Sequence, residues 1–158
     1  MTEVTAIQFT QDQARTLAGV SAEAMRHWRK TIPYLSSKTG KAARFSFTEL
    51  VGLAVTNELV KSFGVHIATM NSGVDALFEL LASGGPSSLH GIVAFITPNE
   101  AILQEAGPDG VRRVPNKSAI AIPLAPYVEK IQQHVLPAAP ISPQTVLPFS
   151  LEAVRSNA

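Results

Sequence analysis

Apolar residues fall into short helical stripes in the first half of the chain and into compact runs in the second. Ala14 and Leu17 lie three apart within QDQARTLA, which predicts a short helix with Thr10 as its N-cap. Gly19 interrupts that helix and Ser21 caps a second, over about 22–30. There Met25 and Trp28 again fall three apart, and Val20 joins them from the turn. The stripe faces a core, which leaves Glu23, Arg26, His27, Arg29 and Lys30 outward. Two short helices joined by a tight Gly-containing turn, with an apolar seam inside and cations outside, form a helix-turn-helix pattern.

Pro33 stops the second helix. The polar segment 36–41 then marks a turn, and Ala43 to Phe47 is expected to return from it as a strand, which makes 36–46 a basic wing. A basic surface loop is the plainer reading of the same residues. Thr48 is the expected N-cap of a third helix running to about Ser62 and closed by Gly64, with Glu49 favouring its positive end. In the next helix Ile67, Met70, Val74, Leu77 and Leu81 recur at alternating spacings of three and four. That seam suits a core, or pairing with a second copy. Ser83 to Ser88 reads as a linker, GIVAFITP (91–98) and SAIAI (118–122) as strands, and Pro123 to Leu136 as a helix. Residues 99–117 read as loop, with a turn at Gly107-Pro-Asp-Gly110.

The fold class expected is mainly α with a small α+β extension. Its divisions are a winged helix-turn-helix domain (1–82), a linker (83–90), a strand-strand-helix element for dimerisation or interaction (91–136) and a Pro-rich extended tail (137–158).

Composition sharpens this picture where it is uneven. The net charge is only +1, yet between Arg15 and Arg44 seven basic residues stand against one acid, a local charge of +6. From Phe45 onward nine acids outnumber six basic residues. A local basic patch on a nearly neutral chain is the footprint of a small nucleic-acid reader, because phosphates supply much of the affinity. With 46% hydrophobic and 16% charged residues the chain is a folding one. No apolar run approaches the roughly 20 residues of a membrane span, and residues 1–20 lack the pattern of a secretory signal. A cytoplasmic, nucleoid-associated protein is therefore expected. The absence of cysteine excludes disulfides and zinc-thiolate sites.

Enzymatic signatures are missing. There is no Gly-x-x-x-x-Gly-Lys-Ser/Thr loop and no nucleophile elbow, and the carboxylates show no pairing that suits acid-base work. His66, His90 and His134 have no metal-ligand spacing. No catalytic residue, metal or cofactor is expected.

The order of pieces resembles the DNA-binding domain of the MerR family over about Phe9 to Leu81. The matching residues are Gly19-Val20-Ser21, Met25-Arg26-His27-Trp28, Arg44-Phe45-Ser46, the Thr48-Glu49-Leu50 opening and Phe63-Gly64-Val65. The resemblance implies a winged helix-turn-helix that binds double-stranded DNA as a homodimer, with Arg26 and His27 where that family's recognition helix meets DNA and Arg44 in its wing near phosphate. Two departures stand out: Ser83-Gly-Gly-Pro replaces the usual long dimerisation helix, and no cysteines form a metal-sensing site. The family's effector sensing is not implied.

Arg26 is the candidate for base contact, since its fork can pair with guanine O6 and N7. Arg15, Arg29, Lys30, Lys38, Lys41 and Arg44 are the candidates for phosphate, and His27 for either. Trp28 shares the stripe of Met25 and is read as core. The function expected is that of a dimeric, sequence-specific transcriptional regulator. The alternatives are a phage or mobile-element packaging or excision factor using the same module, and a protein-interaction adaptor without DNA binding.

Overall fold

The computed structural model describes residues 7–38, 43–84, 86–108, 110–111 and 116–135. Thr10 opens α1 (Gln11–Ala18) through a capping box with Gln13, and Gly19 ends it at φ +79°. Ser21 then caps α2 (Ala22–Thr31) by accepting from the Ala24 N–H. Pro33 does end α2, but it also starts a further turn, α3 (Pro33–Ser36). Proline's fixed φ suits a first helical position, where its missing N–H costs nothing.

The expected return strand at 43–47 is reduced to one bridge. Phe45 exchanges two 2.8 Å backbone hydrogen bonds with Phe9, and Phe47 already belongs to α4 (Phe47–Phe63). The cap of α4 is Ser46 rather than Thr48. Ser46 has a glutamate three residues on, so hydroxyl and carboxylate each take the other's backbone N–H. Gly64 closes α4 at φ +66°, and α5 (Ile67–Ser83) follows. All five residues of its seam are buried in this chain's own core.

The stretch read as a linker contains a 3-10 helix (Pro86–Gly91), with Leu89 buried. After it β1 (Ile92–Ile96) becomes the centre of an antiparallel sheet, between β2 (Ala101–Gly107) and β4 (Ile120–Pro123). A two-residue β3 (Gly110–Val111) pairs back on β2, giving the order β3-β2-β1-β4. Thus β2 replaces the loop expected over much of 99–117, while the pairing of Gly107 with Gly110 fits the turn read there. The last described helix is α6 (Ala125–Val135). The expected tail, 137–158, lies outside the described residues.

The molecule is mainly helical with a small antiparallel sheet. One apolar core runs from Ala14, Met25 and Trp28 through α4 and α5 to Ala94, Ile96, Ile122, Leu124, Val128 and Ile131. The sheet and α6 therefore pack on the helices of the same chain. Among the described residues no helix is long and apolar enough to cross a membrane.

Candidate nucleic-acid interface

The roll of α2 is set by what it buries. Met25 is wholly buried and Trp28 is 2% exposed, so Ala22, Arg26 and Lys30 turn away from the core. On α1 the buried Ala14 and Ala18 do the same for Asp12 and Arg15. The two outward faces meet in an open depression of about 460 Å³ lined by Gln11, Asp12, Arg15, Ala22, Arg26, Arg29, Lys30 and Ser36. Four cations and one carboxylate line it. Such a surface attracts an anion with several charges along its length.

The cations are not equally available. The Arg15 guanidinium donates to Asp12 Oδ1 and to the Val20 carbonyl, both at 3.3 Å, which ties α1 to the turn behind it. Arg29 donates through Nη1 to Gln11 Oε1 at 2.5 Å and through Nη2 to the Lys38 carbonyl, and the Ser36 hydroxyl donates to the Arg29 carbonyl. Arg29 thus fastens α1, α2 and the segment after α3 to one another while keeping an edge on the depression. Arg26 and Lys30 are exposed within it. His27 is exposed on α2 but is not part of the lining.

Lys38, also expected to meet phosphate, has three partners within the chain. Its Nζ lies 3.0 Å from Glu49 Oε2, donates to the Arg44 carbonyl at 2.8 Å and sits 5.2 Å from the centre of the Phe45 ring. Glu49 is only 4% exposed. Its other partners are the Tyr34 hydroxyl and the Ser46 N–H, the latter at 2.7 Å. Tyr34 in turn stacks on Phe78 with centroids 5.3 Å apart, and its N–H donates to Asp75 Oδ1 at 2.6 Å. Burial, then the hydrogen bond and negative charge of Glu49, hold the Tyr34 phenol above its ordinary range. A buried charge needs partners of this kind to be tolerated.

No protein-family model, curated protein or solved structure matches the chain. The reading of this face therefore rests on its own chemistry. Of the eight residues expected to meet DNA, the fold gathers Arg15, Arg26, Arg29 and Lys30. Arg44 is exposed beyond them, with its Nη1 donating to the Ala43 carbonyl at 3.2 Å, and Lys41 lies outside the described residues. Gln11, Asp12, Ala22 and Ser36 complete the lining and were not singled out in the sequence. Gln11 and Ser36 carry no charge, and each hydrogen-bonds Arg29. Among the described residues no group of three or more His, Asp or Glu could hold a metal ion.

Proposed function

We propose that the chain is a sequence-specific double-stranded DNA-binding transcriptional regulator built on a winged helix-turn-helix, acting as a homodimer at the nucleoid. In this reading α2 enters the major groove, Arg26 reads a base edge, and Arg15, Lys30 and Arg44 meet phosphates on either side. The observation that carries it is the depression shared by α1 and α2, which two exposed cations and two half-buried ones line together. Arg29 bridges the two helices through Gln11, and base readout needs side chains held on such a scaffold. The cap of α2 adds to this: the Ser21 hydroxyl accepts from the Ala24 N–H, one of the orphan donors, so the helix is defined from its first turn.

Selection of binding sites from a random duplex library tests the reading, with Arg26→Ala and Arg44→Ala run beside the parent. One motif should emerge, with inverted half-sites about one helical turn apart for a dimer. Arg26→Ala should relax preference at one base pair, worth about 1–3 kcal/mol. Arg44→Ala should weaken all sequences alike. Tandem direct repeats would move the reading to packaging or excision, and no enrichment would move it to a protein adaptor.

A further inference from the structure

Lys38 follows the end of α3, and Arg44 stands just before the Phe45 bridge to Phe9. The Lys38 side chain joins the two. The Lys38 ammonium donates to the Arg44 carbonyl at 2.8 Å and pairs with Glu49 Oε2 at 3.0 Å, while the Lys38 carbonyl accepts from Arg29. Lys38 is thereby tied to α2, to the Arg44 backbone and to the first turn of α4.

We propose that Lys38 is a positioning residue, a clip that ties the Arg44 backbone to α2 and to the first turn of α4 and so fixes Arg44 for phosphate, and that it makes no phosphate contact itself. This rests on the DNA-binding reading. The Glu49 side chain is 6% exposed. Drawing the ammonium off to a phosphate would leave that buried carboxylate without its counter-charge, held only by the Tyr34 hydroxyl and the Ser46 N–H, a cost that one exposed phosphate contact does not offset. The ammonium also lies over the Phe45 ring. Phe45 is wholly buried and belongs to the bridge with Phe9. Backbone, carboxylate and ring therefore hold the same cation. Arg29 carries the restraint onward, since the guanidinium that takes the Lys38 carbonyl also takes Gln11 of α1.

A double-mutant cycle separates a clip from a contact. Lys38→Met, Arg44→Gln and the double variant are titrated with a duplex of about 20 base pairs, two turns of B-form DNA, over a range of salt. A clip acting through Arg44 predicts that each single change lowers affinity about tenfold, the size of one lost charged hydrogen bond. The double variant should then bind no more weakly than Arg44→Gln alone. The slope of log affinity against log salt should fall by about one per protomer in all three variants. Multiplied losses, with a slope lower by about two in the double variant, would make Lys38 a phosphate contact and overturn the proposal.

Simple loss of stability would lower affinity equally in both backgrounds, and Lys38→Arg should restore most of the binding that Lys38→Met loses. Should Lys38→Met not fold, Lys38→Met/Glu49→Gln removes both charges and opens the same clip. If the parent binds no duplex, the DNA reading fails while the clip stays testable. Amide exchange at Phe9 and Phe45 should then speed up at least tenfold in Lys38→Met while α5 amides keep their protection, and unchanged exchange at Phe45 would overturn the clip.

Discussion

At Gly73 the structure has no room for a side chain. A Cβ there would lie 1.8 Å from the Thr97 carbonyl oxygen, and the Gly73 N–H donates to the Pro98 carbonyl at 2.9 Å. The helix thus touches the β1–β2 turn backbone to backbone. Gly73→Ala gains helix propensity, roughly 1 kcal/mol, but forces a rigid carbonyl aside. Overpacking costs about 1–3 kcal/mol, and the upper end is expected because backbone cannot rotate away. Gly64→Ala meets nothing within 4 Å and should show only the strain of its φ of +66°, about 1–2 kcal/mol. Denaturant midpoints with unchanged slopes check the order of the two.

The two tyrosines give a second residue-scale test. Tyr34 is raised by burial and Glu49, and Tyr127 by burial and then by Glu58. Each phenol is held neutral in the fold and ionises near its ordinary value, about 10, when unfolded. The stability they contribute is present below that pH and declines as pH rises through it toward the folded values. Because the chain has no other tyrosine, tyrosinate absorbance should appear only above the ordinary range in the native state. Tyr34→Phe should flatten part of the alkaline loss. Native tyrosinate forming near the ordinary value would contradict this.

At the scale of elements, helix ends decide boundaries that periodicity leaves loose. Ser46 rather than Thr48 starts α4 because its hydroxyl and the Glu49 carboxylate serve each other's backbone. Ser46→Ala should cost about 1 kcal/mol, with Ser46→Thr recovering most of it, read from the thermal midpoint. The α1 and α2 spans, their caps and their inward stripes were legible because capping and apolar spacing are local signals. Strand β2 was not. Its AILQEAG carries alanines, a glutamine and a glutamate, all poor strand formers, and it is extended because β1 pairs with it in the register Ala94 to Leu103 and Phe95 to Ile102. The α3 turn hid behind Pro33, which stops one helix and opens the next.

For the molecule as a whole, the division into a helical first half and a mixed second half is visible in the pattern, but the shared core is not. Leu89 from the glycine-flanked stretch and Val128 and Ile131 from α6 join the same cluster as Met25 and Trp28. Those contacts are long-range, and no local spacing encodes them. The basic face divides the same way. Arg26, Arg29 and Lys30 could be placed outside from the stripe they flank, whereas the inward turn of Lys38 depends on where Glu49 and Phe45 come to rest.

The central claim, that the charge gathered on α1 and α2 serves a polyanion, is tested most directly by the salt dependence of binding to a mixed-sequence duplex. With three phosphate contacts per protomer, log affinity should fall linearly with log salt, a loss of about fortyfold per protomer between roughly 50 and 200 mM. Arg15→Ala and Lys30→Ala should each make that line shallower. Binding that is weak at every salt concentration, or that keeps its strength as salt rises, would contradict the account.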